Sequence, residues 1–321
     1  MPAVKSIMIP KLIRIVLSII FLVWFFYYLI RNIDSFVSIL DISIFNIIII
    51  GSGIILTFVV NNIQTIILLR EEGSNIGFWE SLLLSTAAIL ANHIPFRLGT
   101  IFRMHYLKKV HGVRYARSSS LFSIWLVTIM CMTGFLGFIG ITVGYVGYDK
   151  PINMTLMLLF VLLVFISLLL FIVPKPKSLG YNNNFTKVLN DFFIGFESVR
   201  KNHILVFKIM VLNLIRFIIM AGRFYFTFQT IQVSLPVWIL FLIAPTTTLA
   251  TIVSILPAGN LGLREGIIGY LATVSGQEFK TGFFAGTVDR AILFAITFLL
   301  GTMGLFYCLK KMKKIHKRKL N

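Results

Sequence analysis

The residues of this chain best placed to do chemistry are arginines that share short stretches with prolines and glycines, inside otherwise apolar sequence. One stretch is Ile94-Pro95-Phe96-Arg97-Leu98-Gly99, followed by Arg103. The other is Leu256-Pro257-Ala258-Gly259-Asn260-Leu261-Gly262, followed by Arg264 and Glu265. Proline removes a backbone donor and glycine weakens a helix, so Pro95, Gly99, Pro257, Gly259 and Gly262 are the expected breaks or hinges. A broken backbone at membrane depth persists only where protein buries it or where it lines a polar cavity. Corresponding breaks in two halves of a membrane protein point to a substrate site. The chemistry on offer is anion binding. Guanidinium groups form bidentate bonds with phosphate, and a helix restarting after Gly99 or Gly262 would turn N–H groups and a positive dipole end toward the cavity. A carboxylate would satisfy the same groups.

Further charges fall inside apolar sequence. Lys208, Arg216 and Arg223 lie within an ~80° sector of one helix, bordered by Asn213. Asp289 and Arg290 are adjacent in the last apolar run. A charge near the bilayer centre costs about 2.5–3.5 kcal/mol on insertion scales, so each needs a partner or a function. Arg97, Arg103, Arg216, Arg223, Arg264, Glu265, Asp289 and Arg290 are therefore the candidate substrate-binding set. Pairing of Asp289 or Glu265 with one of Arg216, Arg223, Arg264 or Arg290, fixing helix register, is the structural alternative. His93 precedes the first break and reads either as a headgroup donor or as a buried structural histidine. No metal-ligand spacing, phosphate loop, nucleophile elbow or pair of catalytic carboxylates is present, so no metal, cofactor or catalytic residue is expected.

The elements that must position these groups follow from composition. Of 321 residues, 58% are hydrophobic and 13% charged. Soluble domains are nearer half apolar and a quarter charged, so the chain reads as an integral membrane protein. The apolar runs lack period-2 alternation, which excludes a barrel and leaves an all-α fold. Runs of crossing length fall near 12–30, 43–69, 78–105, 119–146, 152–173, 203–230, 237–256 and 281–309. The first has a basic start and ends in Trp24-Phe25-Phe26-Tyr27-Tyr28 with no small-residue cleavage site, so it reads as an uncleaved span.

Eight full crossings would put Arg97, Arg103, Lys108, Lys109, Arg114 and Arg117 outside, with no acidic residue among them. That contradicts the positive-inside tendency. The conflict disappears if 78–110 dips in from the cytoplasm and returns, and 237–277 does so from the other face. The expected architecture is six full spans plus two re-entrant broken helices in a single transmembrane domain, 1–321. Residues 43–146 and 203–309 then form an inverted repeat joined by a cytoplasmic connector, 174–202, with room for one amphipathic helix. Both termini are expected in the cytoplasm, in a multi-pass protein of the cell (inner) membrane. The formal net charge of +19 is read as topology-setting and as attraction of the Lys310–Lys319 tail to anionic headgroups, not as nucleic-acid binding. Cys131 and Cys308 lie in apolar runs and show no pairing pattern.

The stretches at 95–103 and 256–265, with Val288-Asp289-Arg290, resemble the transmembrane region of bacterial lysylphosphatidylglycerol synthases and its stand-alone flippase-like relatives, over essentially the whole chain. The resemblance implies a part in moving a lipid across the bilayer. In the full synthases a cytosolic domain transfers lysine; this chain stops at Asn321, just after its last span, so aminoacyl transfer by it alone is not expected. The family often places an acidic residue where this chain has Thr100, and charges on the following helix, where Leu121 to Thr128 has none. That leaves Arg97 and Arg103 freer to meet a substrate anion. The expected function is translocation of an anionic, aminoacylated or glycosylated lipid. The alternative is a membrane-embedded transferase, or an accessory subunit partnered with an envelope-biosynthesis enzyme.

Overall fold

Long apolar runs without prolines become long helices, because in lipid every backbone donor must find its acceptor within the segment. The structure, a computed structural model, describes residues 27, 30–31, 43–71, 73–93, 98–149, 151–172, 184–253 and 262–320. These form α1 (Ile44–Glu71), α2 (Phe78–Ala91), α3 (Leu98–His111), α4 (Tyr115–Tyr148), α5 (Met154–Ile172), α6 (Asn184–Lys201), α7 (His203–Gln229), α8 (Val237–Val253), α9 (Leu263–Val274) and α10 (Phe279–Leu320). No strand occurs among the described residues. The protein is a polytopic helical membrane protein: α1, α4, α5, α7 and α10 are long and apolar enough to cross a bilayer. These five coincide with five of the six crossings read from the sequence. The sixth, 12–30, lies almost wholly outside the described residues, as do the breaks at Pro95, Pro257 and Gly259 and the side chain of Arg97. The connector holds the one amphipathic helix it has room for, α6.

Two apolar helices are shorter. α2 has 14 residues and α8 has 17, roughly 21 and 26 Å at 1.5 Å per residue, against a hydrocarbon core of about 30 Å. Each pairs with the helix that follows it, α2 with α3 and α8 with α9. The first pair is antiparallel by its contacts. Glu80, at the start of α2, meets Tyr106 and His111 near the end of α3, while Asn92, just past the end of α2, accepts from the Thr100 N–H at the start of α3 (3.2 Å). Gly99 sits where the arms cross; a Cβ there would lie 2.7 Å from the Ala88 carbonyl carbon.

α10 is the post on which both hairpins lean. α2 packs along one half of it, where Gly301 and Gly304 approach the α2 backbone and Thr86 donates to the Leu300 carbonyl (3.3 Å). α9 packs along the other half at Gly282 and Gly286. The same arrangement recurs around α4, whose Gly140 and Gly144 seat Leu242 and Trp238 of α8. Small residues at these seams let helices approach closely, a main source of association in lipid. α1 and α7 pack against each other between the two halves.

Candidate functional site

α10 meets residues at the inner ends of both short-helix pairs within one stretch of its length. His93, at the tip of the first, stacks edge-on against Phe294 at 5.4 Å between centroids. At the tip of the second, Arg264 and Glu265 meet Asp289 and Arg290. These α10 positions fall near the middle of its apolar stretch, so the two tips converge there from opposite ends of the helix.

The second tip is an ion-pair cluster of three arginines and two carboxylates. Asp289 is fully buried and holds two guanidiniums: Arg223 Nε lies 2.7 Å from Oδ1, and Arg264 Nη2 meets Oδ2. Glu265, also fully buried, takes Arg290 Nε at 2.9 Å. Its Oε2 accepts from the Gly262 N–H at 2.8 Å. Gly262 adopts φ 85°, a left-handed geometry that glycine reaches without a Cβ penalty. Glu265 thus sits at the third position of α9 and reaches back to its N-cap. One N–H at this helix start is met from within: that of Gly262 goes to the chain's own Glu265 carboxylate. Five of the sequence-derived site residues (Arg223, Arg264, Glu265, Asp289 and Arg290) form this ion-pair cluster.

The first tip differs. Arg103 donates to Thr65 Oγ1 at 2.9 Å and lines a cavity of about 180 Å³. α1 contributes Asn61 and Thr65, α2 contributes Ser85, α3 adds Thr100 beside Arg103, and α4 gives Ser118 and Trp125. Arg216, 2% exposed, stands behind this wall. Its Nη1 donates to Asn61 Oδ1 at 3.1 Å, and its guanidinium lies 5.7 Å from the Trp125 ring centroid. Among the described residues neither Arg103 nor Arg216 has a carboxylate within ion-pair distance. Of the five candidate arginines that the structure describes, three are ion-paired at the second tip, and the two at the first have no described carboxylate beside them.

A neutral network braces the wall. Trp125 Nε1 donates to Gln64 Oε1 (3.1 Å), Gln64 donates to Asn213 Oδ1 (3.0 Å), and Asn213 donates to Thr128 Oγ1 (3.1 Å). It joins α1, α4 and α7, as polar residues inside apolar spans are expected to do. The charged stripe on α7 needs one correction: Arg216 and Arg223 are buried but Lys208 is exposed, since a long lysine one turn from the helix start can snorkel to the interface. His93 Nδ1 lies 3.1 Å from its own Ile89 carbonyl. A further cluster has no counterpart in the sequence reading: Glu80 is held by Tyr106 Oη (2.7 Å), His111 Nε2 (2.8 Å) and Lys311 Nζ (2.7 Å). It ties the base of the first hairpin to α10. An acidic residue in a helix's first turn beside an apolar run was the available signal.

The family model described as the lysylphosphatidylglycerol synthase TM region matches residues 11–301. The chain belongs to this family. No curated protein and no solved structure matches it. Membership joins the helical architecture to lipid modification: this is an integral membrane protein of a lysylphosphatidylglycerol synthase-related family.

Proposed function

We propose that this chain is a lipid translocator of the cell membrane, moving an anionic, aminoacylated or glycosylated lipid between leaflets. The observation that carries the reading is the cavity at the first hairpin tip, mostly apolar in lining but with Arg103 in its wall and buried Arg216 behind it. At about 180 Å³ it is smaller than the roughly 300–1,000 Å³ pockets that enclose whole drug-sized ligands. A headgroup fits such a space while the acyl chains stay in the bilayer.

In this reading α1–α4 and α7–α10 are inverted copies, with the α2–α3 hairpin entering from the cytoplasm and α8–α9 from outside. The packing of α2 on α10 and of α8 on α4, and the mutual packing of α1 and α7, supports it. Alternating access is then a rocking of one copy against the other around the convergent tips. The ion pairs of Asp289 and Glu265 hold the second copy in register while the first carries the headgroup. The transferase alternative keeps few acid–base candidates: both carboxylates are engaged by arginines, and His93 has its Nδ1 against a backbone carbonyl, which leaves Nε2.

The test is lipid scrambling in reconstituted vesicles, read by dithionite access to fluorescent lipid. Arg103→Gln lowers the rate by about tenfold or more, the worth of one charge-assisted hydrogen bond. Arg103→Lys retains part of the rate. Wild-type scrambling in Arg103→Gln and in Arg216→Gln removes the cavity from the mechanism.

A further inference from the structure

We infer that the cavity selects a headgroup of net negative charge, a phosphodiester without an attached amine, and rejects an aminoacylated one. The inference rests on the reading of this cavity as a headgroup site and concerns which headgroup it takes. Among the described residues its charge is uncompensated. The described lining contains Arg103 and no carboxylate, and Arg216 touches it from behind through Asn61. The described carboxylates that could offset them are committed elsewhere: Asp289 and Glu265 to the second-tip arginines, Glu80 to His111 and Lys311.

Unmet hydrogen-bonding groups lie in and behind the same wall. Arg216 Nε and Nη2 are buried without a hydrogen-bond partner, and so are the hydroxyls of Ser85 and Ser118 in the lining. At the cavity wall Arg103 and the hydroxyls of Ser85 and Ser118 can donate, with Arg216 buried behind them, and a phosphodiester is an acceptor-only group. An ammonium is the reverse: three donors and no acceptor. Placed beside Arg103 it would meet like charge in a half-desolvated space with no carboxylate to receive it. Specificity here comes as much from what the cavity lacks as from what it holds.

Trp125 lines the cavity, so its fluorescence reports occupancy once Trp24, Trp79 and Trp238 are replaced by Phe. Four probes are titrated into this full-length protein in detergent: dioctanoyl phosphatidylglycerol, dioctanoyl lysylphosphatidylglycerol, dioctanoyl phosphatidylcholine and glycerol 3-phosphate. Phosphatidylglycerol half-saturates at a concentration lower by about tenfold or more than either lipid carrying a positive group. Arg103→Gln abolishes that preference, and Arg103→Lys keeps part of it with an unchanged melting temperature. Glycerol 3-phosphate matching the lipid would make this a soluble-phosphate site and overturn the lipid assignment. Lysylphosphatidylglycerol binding as tightly as phosphatidylglycerol overturns the charge selection while leaving the headgroup site standing. No response to any lipid would overturn both.

Discussion

Replacing Asp289 with Asn destabilises the protein by about 3–5 kcal/mol, the usual cost of leaving a buried charge uncompensated. Asp289 is fully buried and is the one described carboxylate within ion-pair distance of both Arg223 and Arg264, which are 4% and 5% exposed. The amide keeps the shape but supplies no charge, so two guanidiniums at mid-membrane depth face each other across a neutral group. Arg264→Gln costs less, because Asp289 still holds Arg223. The double variant Arg264→Gln/Asp289→Asn recovers part of the loss, since it removes one of the two stranded charges. Thermal unfolding in detergent, followed by size-exclusion recovery, reads the order directly. Equal melting for wild type and Asp289→Asn would show that the cluster contributes nothing to holding α7, α9 and α10 together.

The second large effect is steric. Gly304→Val at the seam between α10 and α2 costs about 3 kcal/mol, at the upper end of overpacking penalties, because the added Cβ meets backbone. It would fall 3.0 Å from the Leu83 carbonyl carbon and closer still to its oxygen, and one turn away a Cβ at Gly301 would lie 2.6 Å from Leu90 Cβ. Neither helix can yield without moving the other, so α2 is pushed off the post that holds the cavity wall. Gly222→Val on α7 is the control, with nothing within 4 Å of its Cβ. The expected result is reduced melting and reduced scrambling for Gly304→Val and near wild-type behaviour for Gly222→Val. Matching behaviour in the two variants would contradict the seam.

Hydropathy and charge placement made the spans legible, because both act locally and each apolar run must satisfy its own backbone. They also pointed to the charged pair Asp289–Arg290, which Arg264 and Glu265 meet. Partner choice was hidden. Arg223 pairs with Asp289 across 66 positions, and Glu80 gathers partners from α3 and α10, through helix rotations that a run of Ile, Leu and Phe does not encode. The sector containing Lys208, Arg216 and Arg223 was correct in angle, yet depth separates them: only the two arginines lie deep enough to be buried. The restart after Gly262 showed the opposite failure. A helix N-terminus was visible, but Glu265, three positions later, is what occupies it.

Sidedness tests the opposed hairpins most directly. In a background with Cys131 and Cys308 replaced by Ala, single cysteines are placed at three exposed sites, Asn75→Cys before α2, Arg114→Cys after α3 and Glu278→Cys after α9. A membrane-impermeant maleimide is applied to intact cells and to inverted vesicles. Positions 75 and 114 label from the cytoplasmic face and 278 from the opposite face if each hairpin returns to the side it entered. Labelling of 75 and 114 from opposite faces would make α2 and α3 one crossing and contradict the opposed hairpins.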